Sequence, residues 1–271
     1  MNIAICCILK QENLYLRDWV EYYYNMGCCN IIMYDNNDEN GEYPQQVIGD
    51  YIRNGFVIYK NARGKYRYQI EAYNTCYNEY KNTFDWIGFL DIDEYWYLTP
   101  SMTFESYFSE ERLGNAISIF MNWLNYGDND KLHYECKPVT ERFLKPTFPL
   151  DFISNDNVCN TVQKVFVKCV NDGFYGFFDV NAFYYDDINF TYYTEDVNYT
   201  ISYIKHYRTL TIEEFLHRRF CRKGYADDTS LHDKDFIMSL FWEQNEWTQE
   251  KQNIVDEFFE RFEVITDNPK I

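Results

Sequence analysis

Over its first 125 residues, the chain alternates short apolar runs with longer segments whose apolar residues recur every three or four positions. The apolar runs have the length of β-strands and lie at residues 2–9, 30–34, 56–60, 86–93 and 115–124. The segments between them have the period of amphipathic helices and lie at residues 12–27, 43–55, 66–82 and 101–114. This alternation predicts an α/β fold with a mostly parallel central sheet and helices on both faces.

The second half of the chain has a different pattern. Apolar runs at residues 162–169, 176–185 and 199–207 follow one another with little helical pattern between them, and three helical segments close the chain. The sequence shows no repeat, low-complexity segment or flexible linker. We therefore expect a single domain over residues 1–271, with an irregular β-containing part at 126–210 and helices at 211–271.

The chain is acidic, with 25 Lys and Arg against 43 Asp and Glu and a formal net charge of −18. Binding to a nucleic-acid backbone needs clustered basic residues, so this charge argues against nucleic acid as a partner. The sequence shows no apolar stretch long enough to span a bilayer and no signal-peptide pattern at its N-terminus. Nine cysteines, an odd number with two adjacent pairs, do not fit a disulfide framework. We expect a cytoplasmic protein, at most peripheral to the inner face of a membrane.

Three of the predicted strands end in polar clusters. The clusters are Lys10 to Asn13 after the first strand, Asp35 to Asp38 after the second, and Asp91 to Glu94 at the end of the fourth. Because ligands of open parallel sheets bind outside the carboxyl ends of the strands, the fold would bring these clusters to one edge. Each cluster also has a plainer explanation, as a helix cap, a turn or a salt-bridged strand end respectively.

Asp91 and Asp93 are the strongest candidates for a metal site. Side chains alternate along a strand, so both carboxylates would project to one face, with Ile92 opposite and Glu94 orienting the others. Two carboxylates at this spacing fit Mn²⁺ or Mg²⁺, which commonly bind phosphate oxygens as well. With the other two clusters facing a nucleoside, this edge predicts a nucleotide-sugar site. The sequence contains neither a P-loop nor a GxGxxG motif.

Two other function classes use similar residues. Some phosphohydrolases end a buried strand in DxD, but their motif normally lies on the first strand and continues to Thr or Val. Here the motif lies on the fourth predicted strand and continues to Glu94 and Tyr95. A non-catalytic carbohydrate-binding protein would fit the aromatic content of 20%, although three polar clusters at one edge argue against it.

Longer motifs resemble glycosyltransferase family 92 and its bacterial relatives of GT-A fold. In chain order they are ILKQENLYLRDWVEYYYNMG, IIMYDNNDENG, Tyr73-Asn74, DWIGFLDIDEY, KHYR and EEFLHRRFCRKGYAD. The resemblance covers most of the chain and implies a metal-dependent, inverting transfer of a sugar, galactose in characterised members, from a UDP-sugar to a glycan or glycolipid. It also implies that residues 1–125 bind the nucleotide sugar and that residues 126–210 face the acceptor.

The same resemblance implies roles for individual residues. Asp91, Asp93 and the His206 of KHYR would hold the metal, although His206 alone would be read as an ordinary packed histidine. The residues that would contact the nucleotide sugar are Lys10, Glu12, Asn13, Asp35, Asn36, Asn74, Asp91 and Lys164. Lys164 would meet the diphosphate or a sugar hydroxyl, and its alternative is a surface lysine on a strand.

Inversion by direct displacement needs a carboxylate that takes a proton from the acceptor hydroxyl. Asp128 and Asp130 follow the fifth predicted strand, where inverting enzymes of GT-A fold often keep acceptor-side groups. Glu141 is the competing candidate and Asp227 a third, and we favour Asp128. Animal members of the family carry a Gly/Ser-rich stretch at this place, so NWLNYGDNDKLH departs from their pattern.

Overall fold

A computed structural model describes residues 1–114, 116–147, 163–169, 174–179, 182–185, 191–194, 200–221 and 234–266. The chain forms two compact units, of which the first comprises Met1–Leu124 and Leu150–His206. The second comprises Asn125–Pro149 and Tyr207–Ile271. The single domain expected from the sequence, with its three parts, stays a prediction.

Strands and helices alternate through the first 80 residues as the periodicity predicted. In the described part of the chain the strands are β1 Ile3–Leu9, β2 Asn30–Asp35, β3 Val57–Asn61, β4 Trp86–Phe89, β5 Glu94–Leu98, β6 Ala116–Asn125, β7 Gln163–Lys168, β8 Phe174–Asp179, β9 Ala182–Tyr185, β10 Thr191–Thr194 and β11 Ser202–His206. The helices are α1 Asn13–Asn25, α2 Gln45–Arg53, α3 Gln69–Tyr80, α4 Phe104–Phe108, α5 Val139–Arg142, α6 Ile212–Leu216, α7 Lys234–Trp242 and α8 Gln249–Thr266. Among these helices, none has both the length and the apolar character needed to cross a membrane.

Nine of the described strands form one sheet in the order β3-β2-β1-β4-β7-β6-β11-β5, with β10 beside β6. β3, β2, β1 and β4 are parallel neighbours, and β10 is parallel to β6. β7 lies between β4 and β6 and runs antiparallel to both, while β11 runs antiparallel to β5. The predicted α/β fold class, with helices and a large sheet whose first four strands are parallel, is confirmed.

The fourth strand is shorter than its apolar run predicted. β4 ends at Phe89, and Asp91 to Asp93 form a turn into β5, a strand that the sequence did not predict. The turn is closed twice, since the backbone N–H of Glu94 donates to the Asp91 carbonyl at 3.1 Å and that of Asp91 donates to Glu94 Oε2 at 2.9 Å. The expectation that strand alternation puts Asp91 and Asp93 on one face is therefore wrong.

Two other elements differ from the prediction. Of the residues 176–185 predicted as one strand, 176–179 belong to β8 and 182–185 form β9, and these two strands pair antiparallel as a separate two-stranded sheet. The helix predicted over residues 101–114 is reduced to α4 and a 3-10 turn at Glu111–Leu113. Thr103 caps α4, because its hydroxyl accepts from the backbone N–H of Ser106 at 3.1 Å.

Aromatic rings fill much of the core beside the sheet. Trp96 and Phe166 are fully buried, and their ring centroids are 4.5 Å apart. Gly88 of β4 makes room for this packing, since a Cβ there would lie 2.3 Å from the Phe166 ring. These rings are core residues, so the high aromatic content does not by itself indicate a sugar-binding surface.

The second unit has a core and a buried ion pair of its own. Phe215, Phe241 and Phe259 bring α6, α7 and α8 together. Arg142 donates two hydrogen bonds to the carboxylate of Glu214, at 2.8 and 2.9 Å, and both side chains are buried. A planar guanidinium paired in this way satisfies both carboxylate oxygens at once.

Candidate functional site

The carboxyl ends of β1, β2 and β4 lie at one edge of the sheet, as the sequence predicted. In the parallel register, Leu9 at the end of β1 lies beside Asp35 at the end of β2. Cys6 of β1 lies beside Phe89, the last residue of β4. The three polar clusters therefore follow neighbouring strands that run in the same direction.

Asp93, Glu94 and His206 form a group that can hold a metal ion. One ligand atom from each lies within 4.8 Å of those of the other two, and His206 Nε2 is 3.9 Å from Asp93 Oδ2. Two ligands that face each other across one divalent cation are about 4–5 Å apart, given metal–oxygen distances of about 2.0–2.6 Å. The ring of Trp123 covers the imidazole of His206, with ring centroids 3.9 Å apart.

Pairing between β5 and β11 brings this group together. Glu94 and His206 are directly opposed in the antiparallel register, where Cβ atoms are about 4.5–5.5 Å apart. Asp93 precedes Glu94 at the end of the turn. The carbonyl of Glu94 accepts from Trp19 Nε1 at 2.9 Å and from the Tyr23 hydroxyl at 3.0 Å, so α1 fixes the start of β5.

Glu94 is the most buried member of the group. Its side chain is 0% exposed, against 19% for Asp93. Burial raises the pKa of Glu94 well above its usual value, and the positive charge of Lys164 opposes this shift. Among the described residues, Glu94 Oε1 has no hydrogen-bond partner. A buried carboxylate oxygen without a partner is costly, and coordination to a cation would remove that cost.

Asp91 and Lys164 form an ion pair beside the metal group. Lys164 Nζ lies 2.8 Å from Asp91 Oδ2 and 3.5 Å from Glu94 Oε2, and the lysine side chain is 1% exposed. Asp91 Oδ1 accepts from Gln69 Nε2 at 3.1 Å and from the Tyr73 hydroxyl at 3.4 Å. Burial alone lowers the pKa of Lys164, but the charges of Asp91 and Glu94 outweigh it and the pKa is raised. Both oxygens of Asp91 are thus held by protein donors, and Lys164 is not a surface lysine.

The three side chains that converge differ from the predicted metal group. Asp93 and His206 belong to both sets, Glu94 joins them in the structure, and Asp91 is held by other side chains. The run EYWYL, which begins at Glu94, carries a weak strand signal in its aromatic residues. Its pairing with the strand of His206 joins residues far apart in sequence, which no local pattern reveals. Metal binding by Asp91, Asp93 and His206 stays a prediction.

Asp35 organises the loop that follows β2, residues 36–43, which we call the β2 loop. The carboxylate is fully buried, and its Oδ1 accepts from the backbone N–H and the side-chain amide of Asn37 at 3.0 and 2.7 Å. Its Oδ2 accepts from the Tyr59 hydroxyl and from Arg63 Nη1, both at 2.8 Å. Asn36 donates two bonds of 2.8 Å to backbone carbonyls of the turn after β3. Nucleoside contacts by Asp35 and Asn36 stay predictions.

Lys10, Glu12 and Asn13 lie between β1 and the first turn of α1. Lys10 Nζ is 3.0 Å from Asp38 Oδ1, and the backbone N–H of Asn13 donates to Glu42 Oε2 at 2.9 Å. Glu12 is buried and makes no side-chain capping bond to α1. These contacts join the first and second polar clusters, as the shared edge predicted, while nucleotide-sugar binding by the three residues stays a prediction.

Asn74 of α3 binds the backbone of β8. Its Oδ1 accepts from the N–H of Phe177 at 2.7 Å, and its Nδ2 donates to the Phe177 carbonyl at 3.1 Å. The side-chain amide of Asn74 therefore makes the pair of hydrogen bonds to Phe177 that the backbone of a neighbouring strand would make. Its predicted contact with the nucleotide sugar stays a prediction.

We expect Asn74→Ala to lower the free energy of unfolding by about 1–3 kcal/mol, because it leaves two backbone groups of Phe177 without this partner. Denaturant unfolding of the ligand-free protein measures the change. Asn78→Ala, an exposed position on the same helix, is the control. An unchanged unfolding free energy together with weaker nucleotide binding would favour the contact predicted from the sequence.

The three candidate bases, Asp128, Asp130 and Glu141, belong to the second unit. Asp128 is 3% exposed, its Oδ2 is 2.6 Å from Lys251 Nζ, and its Oδ1 accepts from the backbone N–H of Asp130 at 3.0 Å. Burial raises the pKa of Asp128, and the hydrogen bond from Lys251 opposes the shift. Asp130 and Glu141 are exposed, and Asp227 lies outside the described residues. The choice of a base stays a prediction.

Two solved structures resemble the chain at low sequence identity. Staphylococcus aureus TarS 1–349, in complex with UDP, matches with a TM-score of 0.38 and 9% identity, covering 50% of this chain and 38% of TarS. The galactosyltransferase LgtC, in complex with donor and acceptor sugar analogs, matches with a TM-score of 0.31 and 11% identity, covering 61% of this chain and 58% of LgtC.

Sequence comparison finds relatives among plant proteins and a family model. A glycosyltransferase family 92 protein of Ricinus communis is 24% identical over 141 residues, which are 51% of this chain and 25% of the relative. The galactan β-1,4-galactosyltransferase GALS1 of Arabidopsis thaliana is 29% identical over 116 residues, 40% of this chain and 23% of the relative. The chain thus spans only about a fifth to a quarter of the length of the curated relatives it matches. The model of glycosyltransferase family 92 matches residues 2–262, and the chain therefore belongs to this family.

Proposed function

We propose that the chain is a metal-dependent glycosyltransferase that moves a sugar from a UDP-sugar to a glycan or glycolipid acceptor, by direct displacement with inversion. Its membership of glycosyltransferase family 92 supports sugar transfer. The observation that carries the metal-dependent part is the convergence of Asp93, Glu94 and His206 beside the carboxyl ends of the parallel strands. Galactose is the donor sugar that the resemblance implies, and the relative GALS1 is a galactosyltransferase by name.

The residues of the group fit a divalent cation such as Mn²⁺ or Mg²⁺. Asp93, Glu94 and His206 would hold it, and the buried Oε1 of Glu94 would gain a partner. A cation at this place would stabilise the negative charge that develops on the departing diphosphate. Lys164 neutralises part of the acidic cluster and orients Asp91 and Glu94.

Inversion would require a carboxylate on the acceptor side. Asp128, Asp130 and Glu141 remain our candidates for this base, in keeping with their position after the predicted nucleotide-binding part. Asp130 and Glu141 are exposed and so accessible to an acceptor hydroxyl, whereas Asp128 is paired with Lys251. A base must come within hydrogen-bond reach of the hydroxyl from which it takes the proton.

A thermal-shift panel of nucleotides and nucleotide sugars, each with and without Mn²⁺, tests the proposal. We expect UDP and UDP-galactose to raise the melting temperature only when Mn²⁺ is present. At a ligand concentration of 100 times Kd the stabilisation is about 2.7 kcal/mol. At about 2–4 °C per kcal/mol for a chain of this size, this gives a rise of about 5–11 °C.

Two other outcomes of this panel would contradict the proposal and favour a different function. Stabilisation by a phosphate mimic with Mg²⁺, but by no nucleotide, would favour a phosphohydrolase. Stabilisation by oligosaccharides alone, with no response to UDP in either metal condition, would favour a carbohydrate-binding protein without catalytic activity.

A further inference from the structure

One arginine from the turn after β3 reaches into the β2 loop. Arg63 Nη1 donates to Asp35 Oδ2 and to the carbonyl of Glu42, both at 2.8 Å. Its Nη2 donates at 2.7, 3.3 and 3.2 Å to the carbonyls of Asp38, Glu39 and Gly41. All five acceptors lie within residues 35–42, and the arginine side chain is only 9% exposed.

We propose that Arg63 is a positioning residue that fixes the β2 loop in the shape that receives the nucleoside of the donor. Its planar guanidinium presents a fork of N–H donors that can serve several carbonyls at once, whereas a lysine is a compact point charge. The ring of Tyr43 covers the guanidinium, with a distance of 4.3 Å to the ring centroid. The inference rests on the proposed function, since it takes the ligand of the loop to be a nucleoside.

Asp35 acts together with Arg63. Four hydrogen bonds from the protein already use both of its oxygens, and the carboxylate is fully buried. Its charge therefore serves to hold Arg63 and the first turn of the loop. Asp35 in this view shapes the nucleoside site without touching the nucleoside, which differs from the direct contact predicted from the sequence.

Further contacts restrict the loop from two sides. The N–H of Gly64 donates to the carbonyl of Asn37 at 2.9 Å, and Gly64 has a φ of +70°, which favours glycine. On the other side, the N–H of Gln11 donates to Asn37 Oδ1 at 2.8 Å. Because the acceptors of Arg63 all lie in residues 35–42, we expect its replacement to change the loop and to leave the group of Asp93, Glu94 and His206 in place.

The test compares Arg63→Gln, Arg63→Lys and Arg63→Ala with wild type. Calorimetric titration measures UDP affinity in Mn²⁺, and electron paramagnetic resonance measures Mn²⁺ affinity without nucleotide. We expect Arg63→Gln and Arg63→Lys to bind UDP at least about tenfold more weakly than wild type. Both variants lose several of the charge-assisted hydrogen bonds that hold the β2 loop. Mn²⁺ affinity should be unchanged, and added guanidinium ion, but not methylammonium, should restore UDP binding to Arg63→Ala.

Arg17→Gln is the matched control. Arg17 also bonds a backbone carbonyl and a carboxylate and lies over a tyrosine ring, but between α1 and α2. We expect this variant to bind UDP as wild type does.

Two results would overturn the inference. One is wild-type UDP affinity in Arg63→Lys, since the charge alone would then suffice. The other is unchanged amide hydrogen exchange in residues 36–43 of Arg63→Gln, measured without ligand, since the loop would then keep its shape without Arg63. If wild type itself binds no UDP, the proposed function fails, and the exchange measurement still decides whether Arg63 holds the loop.

Discussion

Asp93→Asn is expected to abolish the Mn²⁺-dependent stabilisation of the protein by UDP. Asparagine keeps the shape of the side chain but removes the charge from one of the three groups that converge at the proposed metal site. Replacing residues that hydrogen-bond to metal ligands typically lowers metal affinity by about 10–100-fold. Loss of the charge of a ligand itself should therefore lower Mn²⁺ affinity by about 100-fold or more. Direct Mn²⁺ titration, followed by the thermal shift with UDP, measures both effects.

Replacing other nearby carboxylates shows which of them contribute to Mn²⁺ binding. Glu94→Gln should also weaken Mn²⁺ binding, because Glu94 belongs to the group, whereas Asp91→Asn should affect it less, because protein donors hold Asp91. Glu105→Gln, at an exposed position in the first turn of α4, is the control for a general loss of negative charge. Mn²⁺ binding that survives in Asp93→Asn but is lost in Asp91→Asn would reverse the assignment and return the metal to Asp91.

The sequence was a good guide to the parallel half of the sheet. β1, β2, β3, α1 and α3 occur where the sequence pattern put them. The strands are short apolar runs, and β1 and β2 are buried almost throughout, whereas each helix buries an apolar stripe that recurs about every 3.6 residues. The shared edge of β1, β2 and β4 also followed, since parallel strands joined by helices necessarily end on the same side. Asp35 and Asp93 could therefore be singled out before the structure was known.

Three features of the site depend on contacts that local patterns do not encode. The turn at Asp91 to Asp93 is closed by the side chain of Glu94. The apolar pattern of residues 86–93 does not show that such a side-chain contact ends the strand. Glu94 meets His206 through the pairing of two strands distant in sequence. Lys164 comes from β7, which inserts antiparallel between β4 and β6 and so departs from simple strand–helix alternation.

Lys164→Met is expected to lower the free energy of unfolding, measured in EDTA, by about 3–5 kcal/mol, the usual cost of removing one partner of a buried ion pair. Lys164 is 1% exposed and lies within 3.5 Å of both the Asp91 and Glu94 carboxylates. Methionine fills a similar volume but leaves the fully buried Glu94 without a counter-charge. Denaturant unfolding at neutral pH measures the loss.

A second replacement shows whether the uncompensated charge is the cause. In the double variant Lys164→Met, Glu94→Gln, the buried glutamine is neutral, so we expect most of the lost stability to return. If the two substitutions acted independently, their effects on the free energy of unfolding would simply add. Lys168→Met, on the same strand but only half-buried, should change the unfolding free energy by less than about 1 kcal/mol. If Lys164→Met is instead as stable as wild type in EDTA and loses only its affinity for UDP, the lysine is not needed to balance these carboxylates. A contact with the diphosphate or a sugar hydroxyl of the donor, which the family resemblance implies, would then be its role.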